Sequence, residues 1–493
     1  MSQLITVKAT DGTYFDFIDE VIGSGAMKDV YFSPDHKYVV GFFRNNQDGR
    51  SIDRLMNIVG IYRDKIFKQA GGDYFKDYFC WPEKLVEWNG KIGVVCPAYN
   101  KKFFFESGMF KGKEKEGKWF ASAKLRNKFL PASEKGTWLN YLQICIRIAR
   151  AVRRLHAAGL AHSDLSYKNV LVDPQTGSAC IIDCDGLVVP GKYPPDVAGS
   201  PDFIAPEVMQ TKTLKVGDPN KALPSIYTDR HALAVLIYMY LLYRHPLRGG
   251  KVFNTDPAKD EELAMGKFAL FIEHPTDFSN RPNYKQISES EMPQSDIDKR
   301  PYTLVGPYLK ALFDRAFIEG LHNPEKRPSA AEWEDALVKT ADLVVQCNNS
   351  KCDSHWFVFN NNEKCQCPFC GAKFKEKVPI FNFYYSKSKG TFRPENYSLV
   401  IHDNGPLFTW HVNRYVTPNE KINAKDKVPV GDFHCQRGNW YFVNRSLESL
   451  WDFSNSEKKH IKPGEQVELK QGQKLLLTTE EGGRLAIVQF SEN

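Results

Sequence analysis

Residues 1–95 alternate short apolar runs with turn residues. The runs 37–43 (KYVVGFF), 83–88 (EKLVEW) and 91–96 (KIGVVC) predict strands, and Asn89-Gly90 predicts a hairpin turn between the last two. One stretch, 51–67, predicts a helix among them. From about residue 137 the period lengthens. WLNYLQICIRIARAVRRLHAAG puts Leu139, Leu142, Ile146, Ala149 and Val152 on one helical face and stops at Gly159. Helical segments continue to about residue 345. The longest apolar run, 232–243, is shorter than the roughly 20 residues a bilayer needs, and predicts a helix buried on all sides. Cysteines cluster at 347–370. Residues 380–493 return to short β runs broken by Gly, Asn and Pro, with no helix of consequence.

Composition narrows the class. The 493 residues suffice for roughly three domains of about 150 residues each. Apolar residues make up 42% and charged residues 25%, which fits a globular protein. A net charge of +7 without a concentrated basic run gives no footprint for nucleic acid. The densest basic stretch, 111–128, is interrupted by Glu114 and Glu116 and reads as a solvated insertion. The opening MSQLITVKATDGTYF has no basic-then-apolar leader. With 11 cysteines, an odd number, reduced thiols and a cytoplasmic location are expected.

The candidate chemistry lies in an ordered set of short motifs. IGSGAMKDVY (22–31) begins as a phosphate-cradling loop, with Gly23, Gly25 and Val30 in place, but Lys28 stands where a third glycine is expected. LAHSDLSYKNVLVD (160–173) contains His162, Asp164 and Asn169 as H-x-D-x-x-x-x-N. ACIIDCDGLV (179–188) is an apolar run ending at Asp183, and Ala205-Pro206-Glu207 follows. Phosphoryl transfer explains the combination. A substrate hydroxyl needs a proton acceptor, Mg²⁺ needs hard oxygen ligands, and the glycine loop must approach the phosphates closely.

In these motifs the chain resembles the eukaryotic-type Ser/Thr protein kinases over roughly residues 10–340. The resemblance implies an N-lobe (1–97), a helical C-lobe (98–345), ATP and Mg²⁺ as cofactors, and a protein substrate. Asp164 is then the base, His162 its companion in the catalytic motif, and Asn169 and Asp183 the Mg²⁺ ligands. Asp185-Gly186 is an alternative to Asp183-Cys184-Asp185, and the end of the apolar strand favours Asp183. The hinge 94–100 would receive adenine around Cys96, Pro97 and Ala98. Asp229 looks like the N-terminal anchor of the buried helix, and Arg327 like the partner of Glu207.

The usual strand lysine is missing from YVVGFFR (38–44), where Phe42 takes its position. Lys28 is similar to the loop lysine of with-no-lysine kinases and is expected to replace it, with Arg44 and Lys37 as other candidates. Asp53 and Asp64 are the acids available on the 51–67 helix. Ser163 replaces the arginine that pairs with an activation-loop phosphate, and Ser166 replaces a lysine. Tyr193 and Ser200 are the chief hydroxyls between Asp183 and Glu207.

Within 347–374, C-P-F-C-G has zinc-knuckle spacing, because thiolates so placed converge on one tetrahedral ion. Cys347, Cys352, Cys367 and Cys370 are the expected structural Zn²⁺ ligands, with Cys365 and His355 as alternates. A hairpin-like stretch at 355–365 makes the segment 346–376 resemble a zinc ribbon. In 377–493, the strand, the NRS turn and GEQVELKQGQ resemble the later half of a forkhead-associated β-sandwich. The arginine and serine–histidine pair with which such domains read phosphothreonine are not found, so a docking sandwich is expected. The whole is thus an α+β chain: a bilobal kinase-like fold, a zinc ribbon and an all-β sandwich. YVVGFFR, the D-C-D-G variant and the appended ribbon resemble bacterial kinases of tellurite-resistance-associated systems, which implies a phosphatase or a von Willebrand-type protein as partner; the charge and the apolar runs predict neither nucleic acid nor membrane. The competing reading is a pseudokinase scaffold that binds nucleotide or a partner.

Overall fold

The computed structural model describes residues 3–24, 27–193, 199–215, 217–360, 363–388 and 391–492. Two compact units emerge. One comprises 1–136, 140–302 and 311–334; the other comprises 137–139, 303–310 and 335–493. Among the described residues no helix is long and apolar enough to cross a membrane.

The first unit opens with a hairpin, β1 (Leu4–Lys8) and β2 (Tyr14–Ile18). A five-stranded antiparallel sheet follows, made of β3 (Val21–Ser24), β4 (Lys28–Phe32), β5 (Tyr38–Phe43), β6 (Lys84–Trp88) and β7 (Lys91–Pro97) in the order β3-β4-β5-β7-β6. The predicted strands are present. Asn89 and Gly90 both adopt positive φ, the conformation a two-residue type I′ hairpin requires.

The two faces of this sheet bury different things. Phe42, Val40, Tyr31 and Val95 pack with Phe17 and Val7 of the β1–β2 hairpin. Phe43, Leu85 and Val94 pack with Leu55 of the helix Gly49–Asn57. Alternation along β5 therefore settles which residue shares a face with Lys28, its neighbour across the β4–β5 ladder being Phe43 on the side that lines the cleft between this sheet and the helical part. Phe42, expected to occupy the lysine position, points to the opposite face, where its ring lies against Gly93. A Cβ at Gly93 would come within 2.6 Å of that ring. Phe43 occupies the cleft side.

Asp48 caps the helix Gly49–Asn57 by accepting the Ser51 amide at 2.7 Å. The helix continues through a π-helical turn, Ile58–Tyr62, into Arg63–Phe67, close to the predicted 51–67.

The helical part contains Trp138–Ala157, whose buried positions include Tyr141, Leu142, Cys145, Ile148, Val152 and Leu155. Leu139 and Ile146 of the predicted stripe are only half-buried, because the packed arc is wider than a single stripe and centred beside them. The helix Ile226–Leu242 is buried at every position from His231 onward, as the apolar run predicts. Arg327, 2% exposed, grips Glu207 in a bidentate pair at 2.8 and 2.7 Å. The basic stretch 111–128 is not simply a solvated insertion. Lys115 is buried between Glu134 (3.1 Å) and Asp173 (3.3 Å), and Phe120 and Ala121 are fully covered. A buried ammonium requires such partners.

In the second unit, β10 (Val344–Gln346) pairs with β11 (Trp356–Val358). The expected hairpin at 355–365 thus gives way to a pairing with residues ahead of the first cysteine. Ten further strands follow: β12 (Pro379–Ser388), β13 (Thr391–Val400), β14 (Pro406–Leu407), β15 (Gly431–Gln436), β16 (Asn439–Asn444), β17 (Trp451–Asp452), β18 (Lys459–His460), β19 (Gln466–Glu468), β20 (Lys474–Leu476) and β21 (Arg484–Phe490). They form sheets in the orders β13-β12-β21-β20-β17-β18 and β14-β15-β16-β19. One core joins the two sheets, with Phe381, Phe383, Leu475 and Val488 from the first meeting Phe433 and Phe442 from the second. Asn444, fully buried, donates to the carbonyls of Leu447 and Ile461 at 2.8 Å each, so its burial leaves no amide hydrogen wasted. One four-residue helix, Thr409–Val412, interrupts the β pattern.

Candidate active site

A short hairpin, β8 (Val170–Asp173) and β9 (Ser178–Ile181), assembles the acidic side of the site. Val170 pairs with Ile181, and the Ile182 amide donates to the Asn169 carbonyl at 3.0 Å. Asn169 and Asp183, fourteen positions apart in sequence, thereby stand side by side at the one open end of the hairpin. Asp183 adopts positive φ (60°), which turns the chain out of the strand.

Asp164 lies on the loop preceding β8. Its Oδ1 accepts the Ser200 amide at 2.6 Å and its Oδ2 accepts Nδ2 of Asn169 at 3.0 Å. The same Asn169 amide group donates to the Asp164 carbonyl at 2.8 Å. Gly199, beside Ser200, has φ of 106°, and a Cβ there would press on the Ser163 carbonyl at 3.1 Å. The loop itself hangs from the helix Ile226–Leu242. Asp229, 1% exposed, accepts the amides of His162 (2.7 Å) and Ser163 (3.2 Å) and meets His156 Nε2 at 3.1 Å. The imidazole of His162 is buried, with Nε2 3.0 Å from the Ile182 carbonyl. It ties the loop to the strand end beside Asp183 and does not face the cleft as a reacting group.

Lys28 comes from the opposite lobe. Its Nζ is 3.1 Å from Asp183 Oδ1 and 2.7 and 2.6 Å from the two oxygens of Asp185. Burial alone would lower its pKa, but Asp185 and Asp183 outweigh that effect and hold the ammonium above its ordinary range. Burial pushes Asp183 up, yet the Lys28 charge and hydrogen bond bring it below its ordinary value. The i, i+2 acids of D-C-D were the sequence signal for this double partnership. Their exposures differ: the Asp183 side chain is 48% exposed and that of Asp185 only 6%.

Other expected residues fall as follows. Gly23 pairs with Val30 across β3–β4, and Val30 shares the cleft face with Lys28 and Gly41. Gly25 lies outside the described residues. Arg44 binds Asp29 at 2.8 Å, and Lys37 binds Asp35 at 2.9 Å, so neither reaches the acidic pair. Cys96 is half-buried against the patch of Cys80, Phe103, Leu171 and Cys180, with Tyr99 and Ile182 beside it. The Ala98 amide donates to the Lys37 carbonyl at 2.9 Å, so that N–H is already engaged. Of the two helix acids, Asp64 pairs with Lys68 and Asp53 with the hydroxyl of Tyr193. Sequence reasoning did not foresee this last contact.

A second cluster lies in the other unit. The sulfurs of Cys347, Cys352, Cys367 and Cys370 lie within 4.8 Å of one another, with Cys347 to Cys370 at 3.5 Å and Cys352 to Cys367 at 3.9 Å. A tetrahedron with Zn–S bonds of about 2.3 Å has edges of about 3.8 Å, so the donor set fits a four-thiolate ion. Gly371, with φ of 75°, makes the turn after Cys370. Of the alternates, Cys365 packs into the local apolar core, and neither it nor His355 joins the four sulfurs.

The fold, with its mixed helices and sheets, is protein-kinase-like. Residues 123–334 match the family model described as "Protein kinase domain". The chain is 31% identical over 131 residues to "Death-associated protein kinase related" of Drosophila melanogaster, covering 26% of this chain and 17% of that one. It is 34% identical over 128 residues to human "Serine/threonine-protein kinase H1", covering 22% and 27% respectively. The chain thus spans about a quarter or less of the length of these relatives. Among solved structures, the Toxoplasma gondii rhoptry antigen kinase domain aligns with a TM-score of 0.41 at 14% identity, covering 69% of this chain and 86% of that one.

Proposed function

We propose that the chain is an ATP-dependent Ser/Thr protein kinase in which Lys28 supplies the phosphate-binding cation. The observation that carries this reading is the meeting of Lys28 with Asp183 and Asp185 on the cleft face of β4, directly across from Phe43. A cation delivered there neutralises charge on the transferring phosphoryl group. Asp164 accepts the proton of a protein hydroxyl, and its two oxygens are oriented by the Ser200 amide and by Asn169. The Asn169 amide oxygen and the Asp183 carboxylate are hard donors that would hold Mg²⁺, which would supply charge compensation for the phosphates. His162 and Asp229 keep the Asp164 loop in register with Asp183.

Cys347, Cys352, Cys367 and Cys370 would hold a structural Zn²⁺ in a ribbon, since four thiolates leave no position open for chemistry, and the two-sheet module that follows would serve as a docking β-sandwich. The D-C-D-G variant and the appended ribbon support kinship with the tellurite-resistance-associated bacterial kinases, and with it a phosphatase or a von Willebrand-type protein as partner and a cytoplasmic setting. One observation favours the pseudokinase alternative: neither Asp53 nor Asp64 pairs with Lys28.

Transfer from labelled ATP with Mg²⁺, to a generic protein substrate and to the chain itself, tests the proposal. Wild type should transfer phosphate, while Lys28→Ala and Asp164→Ala should each transfer it at least about 10²-fold more slowly. A silent wild type that still binds ATP establishes the scaffold.

A further inference from the structure

Lys28 has its acidic partners at 183 and 185, which leaves the helix Gly49–Asn57 without a lysine to hold it to the site. The structure supplies another anchor. Arg50, Asp53 and Asn57, spaced i, i+3, i+7, line one face of that helix. All three engage the segment following Asp183. The Tyr193 hydroxyl donates to Asp53 and accepts Nδ2 of Asn57 at 3.1 Å, and Arg50 Nη2 donates to the Lys192 carbonyl at 2.9 Å. Tyr193 is 4% exposed and sits in a turn whose Lys192 and Tyr193 amides both donate to the Val189 carbonyl at 2.9 Å. Val188, the preceding residue, exchanges two backbone hydrogen bonds with Ala161 at 3.0 and 2.9 Å, next to His162. A continuous path therefore runs from the Asp164 loop through Val188 and Tyr193 to the helix. On its other side the helix presses Leu55 and Ile52 against Phe43, whose ring lies 5.5 Å beneath the Lys28 ammonium.

We propose that Tyr193, held by Asp53 and Asn57, is a positioning residue that fixes the helix Gly49–Asn57 and, through Leu55 and Phe43, the reach of Lys28. It takes over the task that a helix carboxylate paired with the lysine would otherwise perform. The inference rests on the kinase reading for its functional consequence, and on geometry alone for the latch. Tyr193→Phe removes one hydroxyl and keeps the buried ring. Asp53 is exposed and rehydrates, so the fold survives the change.

The test uses the full chain and two readouts. Amide hydrogen exchange over 49–57 should accelerate about tenfold in Tyr193→Phe, the amount one hydrogen bond to a charged group accounts for, with the 161–163 amides unchanged. Affinity for Mg-ATP should fall about tenfold while Tm shifts by no more than about 5 °C. Asp53→Ala should reproduce both effects, Asp53→Asn, which keeps an acceptor, should restore most of them, and the double variant should add nothing. If Tyr193→Phe lowers Tm further, Asp53→Ala on the exposed end of the contact gives the same reading. Unchanged exchange in both variants, fully additive effects, or faster exchange with unchanged nucleotide affinity would each overturn the proposal. A wild type without phosphate transfer overturns the kinase reading alone, because exchange is measured without turnover.

Discussion

Lys28 and Phe43 face each other across the β4–β5 ladder, with the ammonium 5.5 Å from the centre of the ring. The two positions therefore compete for one location on the cleft wall. Lys28→Ala should reduce phosphate transfer by about 10²–10³-fold, the usual effect of removing a preorganised charge. Phe43→Lys in that background should recover part of the loss, since it delivers an ammonium from the opposite strand. Phe42→Lys should recover nothing and should lower Tm, because it forces a charge among Phe17, Tyr31 and Val95. Initial rates and melting curves of the three variants decide.

The two acids beside Lys28 should separate by their exposure. The half-exposed Asp183 can reach an ion, whereas the covered Asp185 is committed to Lys28. Asp183→Asn should raise the Mg²⁺ concentration needed for half-maximal transfer by about tenfold or more, at least what the loss of an outer-shell partner of a metal ligand costs. Asp185→Asn should act more on ATP affinity, through the Lys28 that it holds, and less on the Mg²⁺ requirement than Asp183→Asn does. A Mg²⁺ titration of each variant distinguishes them.

The cysteine cluster should bind one Zn²⁺ per chain. Cys352→Ser or Cys367→Ser should abolish binding and destabilise the second unit by several kcal/mol, since metal affinity there is folding free energy. Cys365→Ser should keep its zinc, because that thiol packs in the core outside the four-sulfur set. Metal analysis of the purified variants and chelator-induced unfolding provide the check.

Acid should weaken the first unit through two buried histidines. Burial, followed by the charges of Arg327, His245 and His322, holds His231 well below its ordinary value. Burial also pushes His245 down to about 4, against the pull of Asp202. Both groups are neutral in the folded chain and gain a proton on unfolding below about pH 6.5. Their contribution is complete above that pH and is lost as the pH falls toward the folded values. Each should steepen the loss by up to about 1.4 kcal/mol per pH unit. His231→Phe should flatten the slope measured by denaturant unfolding between about pH 7 and 5.

Legibility in the sequence followed the range of the interactions. Asp164, Asn169 and Asp183 could be paired on paper because a single short hairpin joins them, and the four thiols because their spacing is local. The facing of β5 could not be read. Phe42 and Phe43 are both aromatic, and a shift of one residue exchanges the two sides of a sheet without changing the apolar pattern. Lys115 looked solvated because its partners, Glu134 and Asp173, arrive from other segments. The bond from Tyr193 to Asp53 spans 140 positions and leaves no local trace. The strand β11 finds its partner ahead of the cysteines for the same reason.

Asp229 has a consequence for the timing of motion. It holds the His162 and Ser163 amides from the most deeply buried helix of the first unit, so those two amides are released only when that core comes apart. The β3–β4 ribbon is held differently, by its ladder to β5 and by the bridge from Lys28 to Asp183 and Asp185, and Val21, Ile22 and the nearby Met27 are exposed. The two walls of the cleft therefore keep different clocks. Amides beside Asp164 should exchange only with opening of that helix, and those at the exposed tip of the β3–β4 ribbon should exchange earlier.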